Sequence, residues 1–374
     1  MFVNADFHIH SSFSIGTSPS INLFNLISAC KKKGIQVLGS GDALHPQWRK
    51  QCIGYQEQIE RFLIIPSAEI EDHNRIHHLI LMEDFISFEN LEEAFQPHSN
   101  DLTTNGRPHL ALNGGNIAEI VHELGGLIGP AHAFTPWTAL YAKFDHIDEC
   151  YHGKRVDFLE LGLSADSSYG AAIPELYSIP FISNSDAHSF DFTKLGREWN
   201  HLNARKLSPK NILKSVRKGE IIYNAGLFPE GGKYNRTGCS RCHRLFSFEE
   251  AIQFNWRCPN DGGKLKKGVF DRCQELSIGA SHPRPHYYHM IPLAEIIQKV
   301  MNTSSPKTKN CINLYTNLID NLGCEIDILI ERTISEICSI HKGVAKAIEA
   351  LRNERVCLHP GGGGQYGTFY FEKK

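Results

Sequence analysis

Residues 6–10 alternate in polarity. Phe7 and Ile9 point one way and Asp6, His8 and His10 the other, which predicts a strand with two imidazoles on one face, about 6–7 Å apart. Ser20 is the expected cap of a helix carrying Leu23, Phe24 and Ile27, which closes on Lys31-Lys32-Lys33 and Gly34. Ile35–Leu38 then reads as a strand. The pattern returns with a helical segment at Ile117–Leu124, a stop at Gly125-Gly126 and a strand at 127–129. Val156–Leu161 and Phe181–Ser183 read as further buried strands. Strands alternating with helices predict an α/β barrel or sheet. Residues 226–238, rich in Gly, Lys and Asn, mark a domain boundary. From about residue 290 the pattern is helical, with segments at Ile291–Val300, Cys311–Leu322, Ile326–Ile340 and Val344–Leu351. The chain closes on Leu358-His359-Pro360, four glycines and an aromatic cluster.

Composition narrows the class. A chain of 374 residues exceeds the roughly 250–300 at which one core stops growing, so one large domain with smaller companions is expected. With 41% apolar and 21% charged residues it is neither disordered nor fibrous. A formal net charge of −2 leaves no global basic field, so any nucleic acid must be met by a local patch. The apolar runs fall well short of the roughly 18 residues a membrane helix needs, and no membrane partner is expected. The N-terminus Met1-Phe2-Val3-Asn4-Ala5-Asp6 has neither a basic nor a long apolar stretch, so a cytoplasmic protein is expected. Histidine and cysteine divide the chain: 14 of 20 histidines precede residue 230, and 8 of 11 cysteines follow it. In a reducing compartment those cysteines suggest metal sites rather than disulfides.

Metal-ligating residue types recur where the predicted strands end. Asp42 and His45 follow Val37-Leu38, Glu69 follows Leu63-Ile64-Ile65, and His77 and His78 open Leu79-Ile80-Leu81. His132 ends Gly129-Pro130-Ala131, Glu160 sits in 156–161, and Asp186 and His188 end Ser183-Asn184-Ser185. Barrel enzymes gather functional groups at strand C-termini. A carboxylate such as Glu69 or Asp186 can bridge two ions, and paired ions suit phosphodiester hydrolysis.

Asp6-Phe7-His8-Ile9-His10 with Ser11 and Ser14, then Gly41-Asp42, Glu69, His132 and Ser185-Asp186-Ala187-His188 resemble the four motifs of the PHP (polymerase and histidinol phosphatase) superfamily. The resemblance implies a distorted (β/α)7 barrel with two to three divalent ions (zinc, magnesium or manganese). It implies that His8, His10, Glu69 and Asp186 share one ion, and that Glu69, His132 and one of His77 and His78 hold a second. His188 with His45 would hold a third. Asp186, Glu69, His8 and His10 would carry the catalysis. The sequence departs from the motifs twice: Ala43-Leu44 separates Asp42 from His45, and Ser14 stands where the family has a histidine.

Cys239-Ser240-Arg241-Cys242 followed by Cys258-Pro259-Asn260-Asp261 has the spacing of a zinc ribbon whose fourth ligand is Asp261, with Cys273 or His243 as substitutes. Residues 239–273 carry seven Lys/Arg against four acids. Such a module beside a phosphodiesterase-type site suggests DNA contact through Arg241, Arg257, Lys264, Lys266 and Lys267.

The order of parts, with Pro283-Arg284-Pro285-His286-Tyr287-Tyr288-His289 and the terminal His359-Pro360 and glycines, resembles the endonuclease Q family over nearly the whole chain. That resemblance implies a barrel over 1–230, one structural zinc in a ribbon-like module over 233–275, and an α-helical domain over 276–374. It implies a DNA-repair endonuclease of prokaryotes, working at the nucleoid. Such an enzyme nicks on the 5′ side of uracil, hypoxanthine, xanthine or an abasic site. Tyr287, Tyr288 and the loops at the barrel mouth are candidate stacking surfaces for DNA. A monomer is expected, with a sliding clamp as a candidate docking partner. The rival readings are a small-molecule phosphatase, which leaves the basic zinc module unused, and a PHP exonuclease.

Overall fold

Short, doubly buried strands form the frame. Phe2–Asp6 (β1), Val37–Gly39 (β2) and Leu63–Ile65 (β3) pair in parallel, and every residue of them but Phe2 is buried. In the computed structural model, which describes residues 1–56 and 61–372, Ser67–Glu71 (β4) continues β3 beyond Pro66, which has no N–H for a ladder. Antiparallel pairing carries the sheet on to His77–Leu81 (β5) and Leu127–Pro130 (β6). Leu159–Glu160 (β7) and Phe181–Ile182 (β8) pair in parallel.

Single hydrogen bonds join these sheets into a ring. Asp157 N reaches Ile128 O and Ala133 N reaches Glu160 O, each at 2.8 Å, while His10 N reaches Ala187 O at 2.9 Å. With β3 and β4 counted as one broken strand, the ring has seven staves. This is the distorted α/β barrel that the motif order implies, with one antiparallel excursion. Trp199–Asn203 (β9) and Ile221–Gly226 (β10) extend the sheet beyond β1.

Two apolar cores lie against the strands. One gathers Val3, Ala5, Phe7, Val37, Ile65, Leu79, Leu81 and Phe158 with the helix Pro209–Lys218. The other takes Ile9, Leu38, Ile64, Ile80 and Ile128 with most of the remaining helices. Phe7 and Ile9 therefore fall in different cores, and the expected alternation slips where β1 ends. Asp6 leaves the face of His8 and His10 and accepts from Ser185 N (3.0 Å) and Gly196 N (3.2 Å).

The ribbon-like module pairs Gly238–Cys239 (β11) with Leu265–Lys266 (β12) around a small core of Phe246, Ala251 and Leu265. The terminal glycines clasp it, with Arg236 N donating to Gly361 O at 3.0 Å. The last segment is not wholly helical. His286–His289 (β13) pairs in parallel with β10, so a cut at 276 would sever a strand of the barrel sheet. Asn22, not Ser20, caps the helix Leu23–Lys33, accepting from Asn25 N. The expected helix 326–340 is two elements: a π-helical turn at Asp327–Glu331, then Ile334–Ile340. Thr333 and Glu336 form a capping box that restarts the chain there. Among the described residues no helix is long and apolar enough to cross a membrane.

Candidate active site

Glu69, on β4, is the hub. Its Oε1 lies 2.7 Å from His77 Nδ1 and 2.9 Å from His132 Nε2; its Oε2 lies 3.3 Å from His10 Nε2 and 3.8 Å from His8 Nε2. Asp186 Oδ1 meets His10 Nε2 at 3.2 Å and His8 Nε2 at 3.8 Å. Three ligand-capable groups result, and they share members: His8, His10 and Glu69; Glu69, His77 and His132; His10, Asp186 and His188. Burial alone would raise both carboxyls. The surrounding imidazoles instead hold Glu69 and Asp186 well below the usual carboxylate range.

These residues fit divalent cations. His8 Nε2 and His10 Nε2 are buried, have no hydrogen-bond partner among the described residues and point at carboxylate oxygens. Their other nitrogens are fixed from behind. Both oxygens of Glu160 lie at 2.9–3.0 Å from His8 Nδ1, and Asp42 Oδ1 lies 3.2 Å from His10 Nδ1. That is how a protein aims a ligating imidazole and sets its tautomer. Asp42 is fixed in turn by Ser11 N (2.8 Å), Ser11 Oγ and Ser14 Oγ (2.9 Å). Asp42, His132 and Asp186 all hold positive φ, at 46°, 31° and 46°, a backbone strain that clusters at functional positions.

Two expected ligands lie elsewhere. His45 stacks on Phe13 with ring centroids 3.8 Å apart, and it belongs to none of the ligand-capable groups among the described residues. His78 faces away from His77, as strand alternation requires, and meets Tyr151 and Asp72. His77 is the member of the pair that reaches Glu69. Cations absent from the sequence reading complete the rim. Arg107 Nη1 sits 3.1 Å from Glu69 Oε2, carried by an irregular loop that gives no periodic signal. Lys194 and Arg197 border a cavity of about 470 Å³ that opens on Asp186 and His188.

In the ribbon, Cys239, Cys242, Cys258 and Asp261 converge within 4.8 Å. The Cys242–Cys258 sulfur separation is 3.7 Å and Cys239 Sγ–Asp261 Oδ1 is 3.4 Å. Tetrahedral zinc with bonds of about 2.3 Å to sulfur separates two sulfurs by roughly 3.8 Å, so the set fits the ion. Cys273 is buried in the main core and His243 Nδ1 bonds Gly363 O; among the described residues neither belongs to this converging group.

Lys264, Lys266 and Lys267 line a groove of about 490 Å³ between the ribbon and the loop after His132. Lys266 Nζ sits 3.5 Å over the ring of Trp137, which is 45% exposed. Arg241 Nη1 donates to Asp261 O at 3.2 Å, and Arg257 pairs by a backbone bridge with Lys264. Tyr287 does not present a stacking face. Its hydroxyl points inward, 3.3 Å from Ser183 Oγ, because alternation along β13 sends Tyr288 outward instead.

Comparison with known proteins places this geometry. The family model described as the MJ0043 C-terminal domain matches residues 292–355. Uncharacterized protein MJ0043 of Methanocaldococcus jannaschii is 45% identical over 249 residues, which is 64% of this chain and 32% of that protein. The chain thus matches about a third of that relative's length. Uncharacterized protein YqxK of Bacillus subtilis is 29% identical over 399 residues, 98% of both chains. The lesion-specific endonuclease PfuEndoQ of Pyrococcus furiosus superposes with a TM-score of 0.95 at 40% identity, covering 100% of this chain and 96% of its own. Endonuclease Q in complex with a 27-mer duplex carrying an abasic lesion at its active site matches with a TM-score of 0.95 and 39% identity, covering 100% and 97%. With that likeness running the full length of the sequence, the chain belongs to the endonuclease Q family of endonucleases.

Proposed function

We propose that this chain is a metal-dependent DNA repair endonuclease that hydrolyses the phosphodiester on the 5′ side of a deaminated base (uracil, hypoxanthine or xanthine) or an abasic site. The observation that carries the reading is the Glu69-centred donor set, in a chain 39% identical over its full length to an endonuclease solved with an abasic duplex. His8, His10, Glu69 and Asp186 would hold one ion and Glu69, His77 and His132 a second. His188 is in reach of a third with His10 and Asp186. Such ions supply an activated nucleophile and neutralise the leaving oxygen, and in-line displacement leaves a 3′-hydroxyl and a 5′-phosphate. Glu160 and Asp42 orient His8 and His10. Arg107 supplies a guanidinium for the scissile phosphate.

Two further features support a lesion in DNA as substrate. The ribbon lysines, with Arg241 and Arg257, offer a local basic surface in a chain with no net positive charge. Beside the Asp186 cavity, and sharing Lys194, Arg197 and Tyr366 with it, lies a second space of about 290 Å³ lined by Leu227, Phe228, Gly232 and Met290. An apolar recess next to the reacting centre suits an extruded base, and extrusion costs least where pairing is already lost.

The test is incision of 5′-labelled duplexes carrying uracil, hypoxanthine, xanthine or an abasic site, with and without chelator, across a salt series. Chelator-sensitive nicks one bond 5′ of the lesion, weakening with salt, are expected. Nicking that ignores all four lesions would keep the chemistry and remove the repair role. Phosphate released from small esters with no nicking would replace the reading with a phosphatase.

A further inference from the structure

Behind the barrel site lies a second group of ligand-capable side chains that the incision chemistry does not use. Asp72, at the turn after β4, His78, on β5, and Cys150, in the helix Ile147–Tyr151, are each 0% exposed, and their ligand atoms lie within 4.8 Å of one another. His78 Nε2 and Asp72 Oδ2 are 3.4 Å apart, yet among the described residues each lacks a hydrogen-bond partner. Two buried polar atoms left in that state are unfavourable unless something lies between them. Their partners fix both. Asp72 Oδ1 accepts from Asn74 N and Ile76 N at 2.8 Å, which turns Oδ2 toward the imidazole. His78 Nδ1 lies 2.6 Å from the Tyr151 hydroxyl, which leaves Nε2 free on the far side.

The spacing is that of co-ligands. Bonds of about 2.0–2.2 Å from nitrogen and oxygen to a tetrahedral zinc set the two ligand atoms roughly 3.3–3.5 Å apart. Room is kept beside them as well: a Cβ on Gly114 would lie 2.9 Å from Cys150 Sγ and 3.0 Å from His78 Cε1. We propose that Asp72, His78 and Cys150 form an additional, buried zinc-type site that ties the helix Ile147–Tyr151 to the β4–β5 hairpin. With all three residues fully buried, the ion is taken up as the chain folds, and the Cys150 thiol releases its proton to solvent as it binds. A small ligand such as water fills the fourth position. The hairpin so clamped is the one that carries Glu69 and His77, so the ion would stiffen the two strands from which the barrel site is built.

Sulfur makes the site separable from the others, because the barrel donors are all nitrogen and oxygen. In the full-length C239S/C242S/C258S protein, reconstituted with cobalt, a thiolate-to-cobalt charge-transfer band equivalent to one thiolate per chain is expected. The further change Cys150→Ser should abolish it. In the otherwise native protein, Cys150→Ser should lose one equivalent of zinc by elemental analysis and keep the rest, a measurement that stands even where the serine triple does not fold. A folded serine triple with no such band, or a Cys150→Ser protein with its full zinc complement, would overturn the proposal and leave Asp72–His78–Tyr151 as a hydrogen-bonded relay.

Discussion

Replacing Glu160 with Gln tests whether a carboxylate that touches no substrate governs the barrel ions. Glu160 accepts from three directions: His8 Nδ1 at 2.9 and 3.0 Å, Asn184 Nδ2 at 2.7 Å on Oε1, and His132 N at 2.8 Å on Oε2. Two of those donors cannot reverse. His132 N is a backbone amide, and the Asn184 carbonyl is held by Phe7 N (2.9 Å) and Asn200 Nδ2 (3.1 Å). The side-chain amide introduced by Glu160→Gln therefore sets its own N–H against one of them in either orientation. One buried unsatisfied pair costs about 1–3 kcal/mol of stability. The amide nitrogen also favours the His8 tautomer that accepts at Nδ1 and carries its proton on Nε2, the nitrogen that would ligate. Loss of such a supporting group typically weakens metal binding by about 10–100-fold, or about 1.4–2.7 kcal/mol. The assay is nicking of a lesion duplex against metal concentration, with binding measured by chelator competition. Glu160→Gln should shift the metal midpoint upward by that factor and recover most of its rate at saturating metal. Asp186→Asn, which removes a ligand oxygen, should stay inactive at every concentration with its fold intact. An unchanged midpoint in Glu160→Gln would refute the positioning role. A loss that no metal concentration restores would place Glu160 in the chemistry itself.

Arg107→Ala should lower kcat by about 100-fold or more through loss of a charge at the developing phosphorane, with partial recovery in Arg107→Lys; wild-type single-turnover rates in Arg107→Ala would remove it from the site. Asp261→Ala should release the ribbon zinc more readily while Asp261→Cys retains it, read by elemental analysis after mild chelation; equal retention in both would free Asp261 from the ligand set. Burial pushes the Glu198 carboxyl up to about 8. The folded state therefore holds a proton that the unfolded chain has already lost above about pH 4.5, and stability falls by about 1.4 kcal/mol per pH unit until roughly pH 8. Between pH 5.5 and 7.0, Glu198→Gln should lose about 2 kcal/mol less than wild type in thermal melts, and parallel curves would show that Glu198 does not titrate across that range.

Legibility in the sequence follows how local each cause is. Gly34 ends the helix Leu23–Lys33 because a C-cap is a matter of one residue's backbone, and φ there is 93°. The restart at Thr333 is equally local, since Thr333 and Glu336 already have capping-box spacing, yet apolar periodicity runs through it and masks the break. The addition of His286–His289 to the barrel sheet has no local cause. It depends on β10, some sixty residues earlier, presenting a free edge. The expectation for Tyr287 fails for the same reason, because which side of a strand faces solvent cannot be read until its neighbour is known.

The barrel site divides along the same line, and His45 shows where the division falls. Every strand-end ligand type is visible, because His, Asp and Glu at successive apolar strand ends have no packing use. Their aim is not visible. Gly41 turns the chain sharply beneath Ile9, with φ 59° and no space for a Cβ, which would lie 2.2 Å from Ile9 O. That turn delivers Asp42 to His10 and Ser11. Ala43 and Leu44 then drop into the core, and His45 N bonds back to Asp42 O as the chain enters the helix Pro46–Gln56. Two inserted residues thus carry the imidazole under Phe13, while the aspartate stands behind His10. The spacing change between Asp42 and His45 is legible as a departure. Its outcome is not, because it rests on a backbone turn set by Ile9, thirty-two residues before Gly41 and just beyond the end of β1.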